Sequence, residues 1–268
     1  MAAASLLALL PAAGKAEIAY AVDSSAILIS FDTERPDPVL TMGIIRGLQP
    51  GERILGIDFR PVDGKLYGLG STSRLYTIDL RSAIATVVGE GPFTPALDGE
   101  SFGFDFNPTV DRIRIVSNTG QNLRAHPVTG LVVATDGMLQ YAAAEGMPMT
   151  APNAVASAYT NSVFGARSTT LYNVDLASNS LVSQNPPNNG TLNRIGSLAG
   201  LNLSTVAGFD ISPDTNTAYV VVRSSRTPNS ELYQVDLRTA ATTRMGQVGW
   251  FEQVGSLAIA PARVLPSN

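Results

Sequence analysis

Gly103-Phe104-Asp105-Phe106-Asn107-Pro108 is one copy of a phrase that also reads Gly56-Ile57-Asp58-Phe59-Arg60-Pro61 and Gly208-Phe209-Asp210-Ile211-Ser212-Pro213. A weaker form runs from Gly255 to Pro261. The phrase returns after 47 residues at Gly103, and again 47 residues after Gly208 at Gly255. The gap of 105 residues between Gly103 and Gly208 has room for two units, which predicts a degenerate copy inside it. A period of about 50 made of short apolar strands predicts a radial repeat, a β-propeller.

Each unit divides into four strands. In the second they are expected at 54–59, 65–69, 74–80 and 85–89, each rich in β-branched or aromatic residues and bounded by Gly, Pro, Asp or Ser. Pro61 cannot donate to a ladder and stops the first strand, and Asp63-Gly64 supplies a tight turn. The third unit repeats the pattern at 102–106, 112–117, 122–126 and 131–135, and the last full unit at 206–211, 218–223, 231–237 and 242–246. The third strand carries its own signature, Leu75-Tyr76-Thr77-Ile78-Asp79-Leu80 and Leu232-Tyr233-Gln234-Val235-Asp236-Leu237. Leu171-Tyr172-Asn173-Val174-Asp175-Leu176 shares it and locates the fourth unit, whose first strand is expected at 154–160.

Residues 18–22, 27–32 and 40–45 match the second to fourth strands of a unit, and the missing first strand is found at 254–260. Pairing the two ends closes the ring and leaves few exposed edges. The expected fold is all-β, a five-bladed β-propeller of four-stranded blades. A six-bladed alternative needs a further unit within 161–201, where there are three candidate strands. One propeller domain is expected over 17–262, with a short tail at 263–268.

Composition excludes several kinds of chemistry. The net charge of −4, with Lys15 and Lys65 the only lysines, speaks against nucleic acid as a partner. The absence of cysteine removes disulfides, thiolate nucleophiles and iron–sulfur clusters, and the single His126 cannot build a multi-histidine zinc or copper site. Residues 1–16 are expected to be an export-signal remnant or, alternatively, a disordered tail: residues 2–10 are apolar, and Ala13-Gly14-Lys15-Ala16 follows with small residues, the pattern of an export signal without its basic start. That stretch is too short for a transmembrane helix. Export to a periplasm or the extracellular space is expected, with a thylakoid lumen as the alternative.

The stretch SFGFDFNPTVDRIRIVSNTGQNLR, residues 101–124, and Gln184-Asn185-Pro186-Pro187-Asn188-Asn189-Gly190-Thr191-Leu192-Asn193 resemble a bacterial and plant family known as domain of unknown function 4394. The similarity covers residues 19–260. It implies an exported, propeller-like domain with no established activity. His126 departs from the family's pattern, which leads one to expect a short polar residue such as Asn there.

Asp58, Asp105 and Asp210 take the same place in the innermost strand. Facing the channel, they would form a partial carboxylate ring able to hold Ca²⁺. Alternatively each accepts backbone hydrogen bonds and fixes one blade to the next, a role that recurrence in every strong blade favours. Asp79, Asp175 and Asp236 are expected at turns.

The third blade gathers Arg112, Arg114, Asn118, Gln121, Asn122 and Arg124 in one short stretch, a candidate site for a small anionic or carbohydrate-like ligand. The competing role is an Arg–Asp lattice through Asp105 or Asp111. His126, Ser101 and Ser117 lack the neighbours of a catalytic base or nucleophile. The Asn/Pro/Gly-rich stretch 185–193 is long enough to cover one mouth of the ring. Asn189-Gly190-Thr191 and Asn202-Leu203-Ser204 fit a glycosylation acceptor but read as polar turns.

Together these features point to an exported, monomeric binding module for a small ligand or a protein. The alternatives are a metal-dependent hydrolase or lactonase using the three aspartates, and a structural envelope or lumenal protein.

Overall fold

The computed structural model describes residues 16–143, 150–204 and 207–262. The expected export signal, apart from Ala16, and the 263–268 tail lie outside them. No helix among the described residues is long and apolar enough to cross a membrane.

The chain forms five sheets, each with four antiparallel strands, arranged as a five-bladed β-propeller. Blade 1 begins with β1 (Ile18–Asp23), β2 (Ile27–Asp32) and β3 (Val39–Ile44). Blade 2 holds β4 (Ile54–Phe59), β5 (Leu66–Gly70), β6 (Arg74–Ile78) and β7 (Ala85–Val88). Blade 3 holds β8 (Phe102–Asn107), β9 (Arg112–Ser117), β10 (Asn122–Ala125) and β11 (Val132–Thr135). Blade 4 holds a short β12 (Gln140–Tyr141), then β13 (Ala154–Tyr159), β14 (Leu171–Asp175), β15 (Ser180–Gln184) and β16 (Thr191–Ser197). Blade 5 holds β17 (Ala207–Ile211), β18 (Ala218–Arg223), β19 (Ser230–Val235) and β20 (Thr242–Gln247). The last strand, β21 (Val254–Ile259), returns to blade 1 and pairs with β1 from Ala19↔Ile259 to Asp23↔Val254. This is the closure expected from the split repeat.

Two features of blade 4 differ from the reading of the sequence. Leu171–Asp175 is the second strand of the blade, not the third, because it pairs with both β13 and β15. The Leu-Tyr pair is shared by second strands such as β5, so it marks an inward-packed strand rather than a particular one. Asp175 is fully buried there, accepting hydrogen bonds from Tyr141 Oη, the Asn153 amide and Ser178. The short β12 adds a fifth strand by pairing parallel to β16.

The core lies between blades rather than within one. Phe104, Phe106, Tyr67 and Leu69 fill the seam between blades 2 and 3, and Phe209, Val220, Val155 and Leu198 that between blades 4 and 5. The seam between blades 3 and 4 is the exception: its apolar cluster is reduced to Val116, Leu139, Ala154, Val182 and Leu192. The inner strands β4, β8, β13, β17 and β21 pack each on the next around the axis. They approach so closely that the recurring glycine is required. A Cβ on Gly56 would lie 2.6 Å from Phe104 Cβ, and one on Gly208 2.7 Å from the Ser256 carbonyl carbon.

Candidate functional site

Alternation along the inner strands sends Asp58, Asp105 and Asp210 toward the following blade. All three are buried, and one oxygen from each lies within 4.8 Å of the others. Asp58 accepts hydrogen bonds from the Phe59 amide of its own strand (2.6 Å) and the Phe106 amide of blade 3 (2.7 Å). Asp210 does the same with Ile211 (2.6 Å) and with Ile259 of blade 1 (2.5 Å). Asp105 accepts from Tyr159 of blade 4 at 3.1 Å. Three carboxylates thus serve one amide from each of the five inner strands.

These contacts fix the register of the two degenerate copies. Tyr159 and Ile259 stand where Phe106 does, so Ala158 and Ala258 replace the aspartate. Ser157 and Leu257 then fall in the row of Ile57, Phe104 and Phe209. The last copy of the repeat therefore starts at Ser256, one residue later than its glycine suggests.

Burial is the main cause that lifts the Asp58 and Asp105 carboxyls well above the ordinary range, reinforced by neighbouring carboxylates. Burial also pushes Asp210 up to about 7, against the two amides that lower it. Among the described residues no arginine or lysine pairs with the three carboxyls; what lowers them is hydrogen bonding to backbone amides.

The inner strands begin at an open mouth and run down to the aspartates. Between the two, Ile57, Phe104, Phe209, Leu257 and Ser157 narrow the axis to a cavity of about 10 Å³. Above this plug is a shallow axial recess of about 120 Å³, bordered by Asp23, Arg53, Glu100, Ser101 and Gln253. It shares Arg53, Leu55, Glu100, Ser101 and Phe102 with a larger recess of about 490 Å³ between blades 2 and 3, which also touches Ser71, Leu97 and Gly99. The exposed Arg53 and Glu100 side chains are not ion-paired with any described residue.

The six polar residues of blade 3 divide into two groups. Arg114, Asn122 and Arg124 come together on Asp136. Arg114, only 1% exposed, donates to Asp136 (2.6 Å), Asn122 Oδ1 (2.7 Å), Asn188 Oδ1 (2.8 Å) and Tyr159 Oη (3.3 Å). Arg124 grips both oxygens of Asp136 at 2.8 Å. The lattice partner is therefore Asp136, not Asp105 or Asp111; Asp111 pairs with Arg60 instead. This network fills the seam whose apolar core is smallest.

Asn118 and Gln121 stand apart, beneath the wall of the large recess. Asn118 Oδ1 accepts from the Glu100 and Ser101 amides, while Gln121 accepts from the Asp98 amide and donates to the Ala96 carbonyl. Arg112 joins neither group and donates to the carbonyls of Val110 and Asp111. The 185–193 loop packs on blade 3 through Asn188 and Pro187 rather than over the axis. His126 Nδ1 accepts from the Val128 and Thr129 amides and closes a turn.

Arg53, Glu100, Ser157 and Ser256 escaped the reading of the sequence. The first two lie in loops with no motif. The two serines were detectable as polar residues in rows that are otherwise apolar or glycine and alanine.

The chain belongs to the family described as domain of unknown function (DUF4394), whose model matches residues 27–258. No curated protein matches it significantly in sequence. Among solved structures it is similar to a protein of unknown function from Bacteroides thetaiotaomicron, at 12% identity and a TM-score of 0.53, covering 93% of this chain and 68% of that one. It is also similar to a chain of a nidogen/laminin complex (14% identity, TM-score 0.45, covering 92% and 99%). A third is the glutaminyl cyclase of Myxococcus xanthus (13%, 0.46, covering 75% and 88%). At these identities the likeness concerns the fold alone.

Proposed function

We propose that this protein is an exported, non-catalytic binding module whose ligand occupies the recess between blades 2 and 3. One observation carries the reading: Arg53 and Glu100, both free of ion pairs with described residues, border a recess of about 490 Å³ at the mouth of the ring. That volume falls within the range of small-molecule sites. The guanidinium suits a carboxylate, and Ser71 and Ser101 beside Leu97 and Phe102 suit a hydroxylated ring with one apolar face. The ligand class is a small acidic carbohydrate.

A hydrolase acting through the aspartates is less well supported. Its substrate would have to pass a plug whose cavity is about the size of one water. The apolar and then small residues at 2–16 support export.

The test is calorimetric titration of the full chain with hexuronic acids and their neutral counterparts. The acids should bind, the neutral sugars should bind more weakly, and Arg53→Ala should weaken the acids at least about tenfold, a loss of about 1.4 kcal/mol. Absence of binding, or binding indifferent to Arg53, sinks the reading.

A further inference from the structure

The five amides around the axis occupy both oxygens of Asp58 and of Asp210 but a single oxygen of Asp105. Asp105 Oδ2 therefore takes no amide from the ring. The same seam, between blades 3 and 4, holds a buried polar group without a partner. Ser157 is 2% exposed and its hydroxyl has no hydrogen-bond partner. It presses on Gly103, two residues before Asp105, so closely that a Cβ there would lie 1.8 Å from Ser157 Oγ. Residues 103 and 105 share one face of β8, so the hydroxyl and the spare carboxylate oxygen belong to neighbouring rows of one interface. Ser256, 5% exposed, borders the same axial cavity and its hydroxyl is also unpartnered. The other inner strands carry apolar residues in the row of Ser157, and glycine or alanine in that of Ser256. A buried hydroxyl without a partner costs about 1–3 kcal/mol, so two of them lining one axial cavity, with Ser157 in the seam that Asp105 faces, indicate a polar occupant.

We propose that the axis holds one Ca²⁺ among Asp58, Asp105 and Asp210, with water joining it to the Ser157 hydroxyl. Two oxygens bound to one Ca²⁺ at about 2.4 Å are at most about 4.8 Å apart, and the three carboxylates meet that limit. All available donors are hard oxygens, which select this class of cation over soft metals. Mg²⁺ fits less well, because it demands near-ideal octahedral geometry and dehydrates reluctantly, whereas Ca²⁺ accepts carboxylates singly or through both oxygens in flexible geometry.

The experiment uses the full chain purified without chelator, analysed for metal, then stripped with EDTA and titrated with CaCl₂ or MgCl₂ alone. One Ca²⁺ per chain is expected. At a hundredfold excess over Kd it should raise the melting temperature by about 5–10 °C, with Mg²⁺ much weaker. Asp105→Asn keeps an acceptor for the Tyr159 amide but should weaken Ca²⁺ at least a hundredfold. Ser157→Ala, which removes only the hydroxyl, should weaken it about tenfold and carries the test if Asp105→Asn does not fold. Metal-free protein with a melt indifferent to EDTA and Ca²⁺ overturns the proposal, as does Ca²⁺ affinity unchanged in Ser157→Ala.

Discussion

Arg114 shows how a charge is kept in the interior of this ring. A guanidinium 1% exposed is tolerable only when its donors are met, and Asp136, Asn122, Asn188 and Tyr159 meet them from three directions. The two arginines that hydrogen-bond Asp136 keep its carboxyl below the ordinary range despite burial. A depressed folded pKa gives stability that is fully present above the unfolded value, about 3.9, and lost as pH falls through the folded one. Asp136→Asn should therefore cost about 3 kcal/mol at pH 7, where it strands a buried cation, and progressively less below pH 4. Urea titrations of both proteins from pH 7 to pH 2.5 check this; a difference that does not shrink in acid would refute it. The axial aspartates were legible in the sequence because they recur. Asp136 was not, because it follows β11 in a segment without a repeat, and nothing local announces that two arginines converge on it.

At the scale of elements, the repeat predicts strands well and loops poorly. Inner strands are legible in blades 2, 3 and 5 because the recurring glycine and the proline after the strand answer the same steric demand there, whereas blade 4 has Ala156 in the glycine's row and no such proline. In blade 4 the Leu-Tyr signature falls one strand earlier than expected, because Leu171-Tyr172 reports inward packing, which second and third strands share. The wall of the large recess was invisible, since the segment from Ala96 to Ser101 has no regular structure and takes its shape from Asn118 and Gln121 below it. Gly99 sits at φ 126° with no room for a Cβ, which would meet Asn118 Oδ1 at 2.5 Å. Asn118→Ala removes the acceptor of two loop amides, each bond being worth about 1 kcal/mol. Hydrogen exchange at Glu100 and Ser101 should accelerate about tenfold or more while the core strands keep their protection. Unchanged exchange there would mean that the loop holds its shape without Asn118.

The whole molecule depends on one non-local pairing. Four blades are each built from consecutive strands, but blade 1 takes β21 from the other end of the chain, and the axial ring takes its fifth amide from Ile259 on that strand. Removing β21 would leave the Asp210 carboxylate without one of its two amides, expose the edge of β1 and empty Val254, Leu257 and Ile259 from the seam between blades 5 and 1. Those three side chains alone contribute about 5–9 kcal/mol of burial, comparable with the 5–15 kcal/mol that holds an ordinary domain together. Truncation after Phe251 should therefore abolish the cooperative melt seen by circular dichroism, rather than fray one blade as in an open solenoid. A synthetic peptide spanning residues 252–262, added in trans, should restore part of the transition, and a scrambled peptide should not. A truncated chain that melts cooperatively within a few degrees of the full protein would show that the ring is held by its face-to-face seams, with closure contributing little.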